Sequence, residues 1–268
     1  MFQNKLGVLG LSIFGALIIV AVFASYLAPF DPFEQNLKGG LQSPSHEHPL
    51  GQDKLGRDNL SRIIFGSRIS VFVGLVVVGI SLLIGIFVGS IAGYNGGWID
   101  ELFMRIVDIF LAFPGILLAI GLTAVLGPSL NHVILALCVT GWVSYARIVR
   151  GQILTVKEQE YIIAARALGA NPFRIITIHI MPNILSPLIV EATFGMAGVI
   201  LAEASLSFLG LGAQPPTPSW GSMLNEGRQF LLVAPHMTTF PGLAIMMVVL
   251  GFNFLGDGLR DALDVRRG

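Results

Sequence analysis

Residues 69–92 read ISVFVGLVVVGISLLIGIFVGSIA, a stretch without one Asp, Glu, Lys or Arg. A helix that crosses a bilayer needs about 20 mostly apolar residues, because each rises about 1.5 Å through a hydrocarbon core about 30 Å thick. This run meets that length. Ser81, Gly85, Gly89 and Gly93 put a small residue at every fourth position, hence on one helix face, where another helix can approach closely. The stripe fits packing within one subunit or against a second one.

Working outward, comparable runs occur at 6–27, 106–126, 132–149, 185–209 and 240–255, the last short enough to need a tilt or an extension to about Leu259. That makes about six spans. Lys5 precedes the first as a basic start, but its apolar run exceeds the roughly 7–15 residues of a signal-peptide core, so it reads as a retained span. Only 12% of the 268 residues are charged and 54% are hydrophobic, against about 25% charged in soluble domains. The expected fold class is therefore all-α, a polytopic membrane helix bundle. Sixteen basic and 16 acidic residues balance, which gives no basic excess for nucleic acid. The single cysteine, Cys138, excludes an internal disulfide framework and reads as mid-span packing.

An even number of spans puts both termini on one side. Lys5, Arg105, Arg147, Arg150, Lys157, Arg166, Arg174, Arg260, Arg266 and Arg267 share that side in a six-span arrangement, which the positive-inside rule makes cytoplasmic. Loop 29–68 opposes this with Lys38, Lys54, Arg57, Arg62 and Arg68, but carries Asp31, Glu34, Glu47, Asp53 and Asp58 as well. Loops 29–68 and 210–239 are then extracytoplasmic. In the first, Leu60, Ile63 and Ile64 at i, i+3 and i+4 predict a short amphipathic helix lying at the membrane interface. In the second, Gln214-Pro215-Pro216-Thr217-Pro218 predicts an extended, turn-rich loop. This organisation divides the chain into 1–68, an N-terminal span with its outer loop, and 69–268, a core.

Pro114 in Phe113-Pro114-Gly115 predicts a kink in the third span. Asp108, Glu191 and Glu203 lie in or near spans, where an acid is costly unless it is paired or hydrated. They are dispersed, unlike the neighbouring acids of a proton relay, and no inverted repeat suggests a secondary transporter. Bonding to a nearby hydroxyl or backbone group accounts for such acids. His46-Glu47-His48 lacks the helical spacing of a zinc face, and Ser129 and His132 make no nucleophile site, so no catalytic residue and no metal site is expected. Lys5, Lys38, Lys54 and Lys157 are the only lysines and none follows a glycine, so the chain has no phosphate-binding Gly-Lys-Ser/Thr loop.

The segment between the fourth and fifth spans reads Glu158-Gln159-Glu160-Tyr161-Ile162-Ile163-Ala164-Ala165-Arg166-Ala167-Leu168-Gly169-Ala170-Asn171-Pro172. Acids at its start and Arg166 near its end suit a helix dipole, and Gly169 can end the helix in the left-handed conformation. Asn171-Pro172 reads as N-cap and first residue of a second short helix, which Pro182 closes. Two short helices meeting at a glycine corner are expected, with a surface narrowed by alanines.

This loop resembles the EAA motif of bacterial ABC importer permeases. Ala164, Ala165, Gly169 and Pro182 stand at matching spacing, with Ile163 and Met181 in place of the usual Glu and Leu. The pattern Glu160-Tyr161-x-x-Ala164-Ala165-Arg166-Ala167-x-Gly169-Ala170 is similar to the variant in peptide and nickel importers. His48-Pro49-Leu50-Gly51-Gln52-Asp53, Leu55-Gly56-Arg57-Asp58 and Ser61-Arg62 resemble the outer loop of the C-type subunit. Gly93-Tyr94, Phe113-Pro114, Leu206-Ser207-Phe208-Leu209-Gly210-Leu211-Gly212, Trp220-Gly221, Pro241-Gly242-Leu243-Ala244 and 253–261 extend the likeness along nearly the whole chain.

The resemblance implies a type I ABC importer permease fold, with the EAA loop at about 151–184. It implies a multi-pass bacterial inner-membrane subunit that transports di- or oligopeptides, with nickel or another small solute as the alternative. A B-type permease, two ATPase subunits and an extracytoplasmic solute-binding protein are its implied partners. ATP and Mg²⁺ belong to the ATPases, and no cofactor is expected on this chain. Glu160, Tyr161, Ala164, Ala165, Arg166, Ala167, Gly169, Ala170 and Pro182 are the implied ATPase-coupling residues. Asp108, Pro114 and Glu203 are candidates for the substrate pathway.

Overall fold

The computed structural model describes residues 5–264, so Arg266 and Arg267 of the expected basic tail lie outside the described residues. Among those described, the regular structure is helical apart from one isolated antiparallel bridge, Gln52–Asp58. The chain opens with α1 (Lys5–Val22) and the short α2 (Ala24–Leu27), then a non-helical outer segment with one 3₁₀ turn at Leu37–Gly39. A helical bundle follows: α3 (Asn59–Asn95), α4 (Gly97–Leu111), α5 (Gly115–Leu126) and α6 (Leu130–Val156). Two short helices, α7 (Glu160–Ala167) and α8 (Pro172–Arg174), lead into α9 (Met181–Phe208), and α10 (Trp220–Gly227) and α11 (His236–Asp264) complete the chain. Five helical stretches are long and apolar enough to cross a membrane, or six if the bent pair α4–α5 counts as one.

The small-residue stripe packs within the subunit. A Cβ on Gly89 would lie 2.6 Å from the Ala146 carbonyl oxygen and 2.7 Å from the Val149 side chain, so α3 and α6 touch backbone to backbone. On the other side, α1 crosses α11 where Gly7 faces Gly258 and Ile13 seats on Gly251. The central core joins Tyr145, Met196, Ile200, Trp220 and Phe252 from four helices.

Several expectations change. The separate interfacial helix at Leu60–Ile64 does not exist: these residues are the first turns of α3, which at 37 residues is about 55 Å long and projects well beyond a hydrocarbon core of about 30 Å. Asp58 caps it, its Oδ2 accepting from the Ser61 backbone N–H and hydroxyl, both at 2.7 Å. The division at 68/69 falls inside this helix, and contacts from α1 to α11 and from the outer segment to α10 cross it. The third span is broken outright: α4 and α5 bend by 80° at Ala112–Pro114, where proline supplies no N–H and caps α5 instead. Loop 210–239 contains α10, begun by a reciprocal Ser219–Ser222 capping box directly after the prolines. Finally, Pro182 closes nothing. Residues 172–208 run as one helical path, with a π-helical turn at Ile175–Ile180 just before the proline.

Candidate functional site

The α7–α8 corner forms as its residues dictate. Glu160 lies in the first turn of α7 and Arg166 in the last. Gly169, at φ 80°, ends the helix: its N–H reaches the Arg166 carbonyl at 3.0 Å, and the Ala170 N–H reaches that of Ala165 at 3.1 Å. Those two bonds are the Schellman pattern. Asn171 caps α8 by accepting the Arg174 N–H at 2.8 Å, with Pro172 at the first position.

Burial fixes which way the corner faces. Ile162, Ile175 and Ile180 are buried against Val149, Ile153 and Ile184, anchoring the corner to α6 and α9. Glu160, Tyr161, Ala164, Ala165, Ala167 and Gly169 are exposed, while Arg166 and Ala170 are half-buried. Leu168 is 89% and Phe173 76% exposed, an apolar display that water alone does not favour. Two ties join the corner to the end of α3. The Arg166 guanidinium sits 5.9 Å from the Tyr94 ring centroid, and Lys157 Nζ donates to the Gly93 carbonyl at 3.2 Å. Neither partner was singled out for this role from sequence, since nothing local links them. Pro182 stands apart from the corner, exposed at the start of α9.

Asp108, Pro114 and Glu203 do not form one site. Asp108 is exposed on α4 and accepts from Arg147 of α6 at 2.8 Å. Pro114 is the α4–α5 elbow. Glu203 is fully buried near the end of α9 and accepts the Ser207 hydroxyl at 2.6 Å; that hydroxyl in turn receives the Ala213 N–H. A cavity of about 570 Å³ lies elsewhere, between α6, α9 and α11, lined by Gln152, Pro182, Asn183, Ser186, Glu191 and Arg260 among others. Glu191, an acid within a span, and Pro182 are visible in the sequence, but nothing local shows that they share a cavity with Arg260.

On the opposite face, the outer segment is tied down by charge. Arg57 donates to Asp53 at 2.5 Å and to Glu226 of α10 at 2.7 Å. Arg62, 1% exposed, lies 3.7 and 3.6 Å from the same two acids. His48 is held against Asp58 at 2.9 Å, and His236 faces the Gln52 carbonyl at 3.1 Å. Trp220 of α10 donates its indole N–H to the Ile63 carbonyl at 2.9 Å.

A long-helix membrane bundle with an exposed helix–glycine–helix corner on one face and a knotted polar segment on the other invites comparison with transport proteins. Residues 85–268 match the family model described as binding-protein-dependent transport system inner membrane component, and residues 1–44 match the N-terminal TM domain of oligopeptide transport permease C. This chain belongs to that transport family.

This permease is 50% identical over 262 residues to the dipeptide transport system permease protein DppC of Alkalihalophilus pseudofirmus, covering 98% of the chain and 86% of that relative. It is 44% identical to DppC of Haemophilus influenzae, over 98% of the chain and 91% of the relative. It is also 47% identical to the glutathione transport system permease protein GsiD of Pectobacterium atrosepticum, over 92% and 83%. Among solved structures, an inward-facing conformation of the MetNI methionine ABC transporter shares the fold with a TM-score of 0.62. It is 22% identical and is covered to 97% by 76% of this chain. The permease is thus a multi-pass inner-membrane component with the ABC importer permease fold, of a transport family and not an enzyme family.

Proposed function

We propose that this permease is the C-type subunit of an ATP-driven importer of di- or oligopeptides, and that the α7–α8 corner is its docking surface for an ATPase. The observation carrying this reading is the corner itself: a capped helix of eight residues, anchored by buried isoleucines and showing alanines with bare Leu168 and Phe173 outward. A second permease of the B type completes the pathway, two ATPases hold the ATP and Mg²⁺, and an extracytoplasmic binding protein delivers solute. The peptide cargo is supported by relatives named for dipeptide and glutathione transport.

Orientation follows from charge. Arg147, Arg150, Lys157, Arg166 and Arg174 cluster at the corner's end of the bundle. Gly7 against Gly258, and Arg260 beside Pro182, bring both ends of the described chain to that same face. The positive-inside rule makes this face cytoplasmic, termini included.

The mechanics need no chemistry in this chain. Closure of the ATPases displaces α7, and the continuous helical path 172–208 carries that displacement through the membrane. At its far end the Phe208 carbonyl accepts from Asn225, and the close Ala204–Gly221 approach joins α9 to α10, which holds the outer segment through Glu226. A continuous path from the corner to the outer segment suits the helix displacements of alternating access.

Affinity capture of the tagged permease in mild detergent tests the assignment. The expected result is co-purification of a second permease, ATPases and a binding protein whose bound solute is a peptide. Capture of nickel on that binding protein overturns the cargo, and absence of any ATPase overturns the importer.

A further inference from the structure

We infer that the cavity between α6, α9 and α11 is a substrate subsite of the translocation pathway, where the Glu191 carboxylate takes the ammonium group of a peptide. This deepens the importer reading above and rests on it.

Three intramembrane acids have different company. Asp108 is paired with Arg147, and Glu203 is fully buried with its Oε1 accepting from Ser207. Glu191 is half-buried, and among the described residues no hydrogen bond or ion pair reaches its carboxylate. An acid in a span that faced lipid would be strongly disfavoured, so its place is a water-filled, functional cavity. That cavity is present, and its volume of about 570 Å³ lies within the roughly 300–1,000 Å³ of small-ligand sites.

The rest of the lining suits a zwitterion better than a simple cation. Gln152, Asn183 and Ser186 offer neutral donors and acceptors. Pro187 brings no N–H to the Asn183 carbonyl one turn earlier, leaving that acceptor for a guest or water. Arg260, near the end of α11, places a cation toward the cytoplasmic end of the same cavity. From Asn183 to Glu191 along α9 is about 12 Å, and an extended chain spans at most about 3.3–3.6 Å per residue. The cavity therefore matches a peptide of two or three residues, its ammonium end at Glu191.

The test uses the complete importer in proteoliposomes, with radiolabelled dialanine as probe. Glu191→Gln is expected to lower maximal uptake roughly tenfold, a loss equivalent to one ion pair in a partly dry site, while Glu191→Asp restores part of it. In a Cys138→Ala background, Ser186→Cys is expected to react with an impermeant maleimide from the cytoplasmic side. Dialanine should slow that reaction and N-acetyl-dialanine should not. Wild-type uptake of dialanine together with unchanged uptake by Glu191→Gln overturns the subsite alone. Equal protection by the acetylated peptide, or no labelling, also overturns it. A wild-type complex that never takes up dialanine overturns the peptide reading and the subsite with it.

Discussion

Arg57 and Glu226, 169 positions apart, meet at 2.7 Å on the outer face and join the segment before α3 to α10. Arg57 is 2% exposed, and Arg62, at 1%, shares Glu226 and Asp53 with it. Removing one partner from such a group strands a buried charge, at a cost of about 3–5 kcal/mol. Glu226→Ala should therefore lower the thermal unfolding midpoint in detergent and expose residues 36–58 to protease. An unchanged midpoint would mean that the arginines are neutralised in some other way.

Two glycines give opposite expectations. A Cβ on Gly89 would strike the Ala146 carbonyl and Val149, whereas one on Gly198 meets nothing within 4 Å. Gly198→Ala should stabilise by up to about 1 kcal/mol through helix propensity. Gly89→Ala should destabilise by about 1–3 kcal/mol, since two backbones would have to separate. Thermal midpoints of the two variants, measured side by side, decide whether the α3–α6 contact is as tight as described.

What the sequence disclosed was what neighbouring residues determine. Run length located the spans, and Gly169 and Asn171-Pro172 announced the α7–α8 corner because caps are local chemistry. Leu60, Ile63 and Ile64 misled because the first turns of a long helix and a separate interfacial helix have the same periodicity. Glu226, far along the chain, joins Asp53 in compensating the buried Arg62. The 80° elbow is similar: Pro114 predicts a break, but the distant contacts beside it, Phe110 edge-to-face with Trp142 and Asp108 with Arg147, are not local to it. For α10 a signal did exist, Ser219 with Ser222 three residues on, overshadowed by the prolines before it. The Glu191 cavity had no local signal, since three separate helices build it.

On the exposed face of α7, Ala165 offers a methyl group to any docking partner. Ala165→Asp adds charge there without touching Ile162 or the other buried anchors. Co-capture of the ATPase and ATP-dependent uptake should both fall at least several-fold, because desolvating an unpaired carboxylate at an interface is unfavourable. The thermal midpoint of the isolated permease should stay put. Full coupled uptake by the variant would move the docking surface away from this helix.

The π-turn before α9 has an identifiable origin. Met181 donates to the Ile176 carbonyl, five residues back, and Pro182 has no N–H with which to tighten the turn. Pro182→Ala supplies that donor, so the segment can relax to a regular α-helix. Losing the extra residue of the turn rotates everything upstream by about 100° relative to α9. The alanine face of α7 would then point away from its partner, although Ala is the better helix former. The expected outcome is an equal or higher thermal midpoint together with a large loss of ATP-dependent uptake. If uptake survives at the wild-type level, the setting of α7 relative to α9 does not govern coupling, and transmission has to run through Tyr94–Arg166 and Lys157–Gly93 instead.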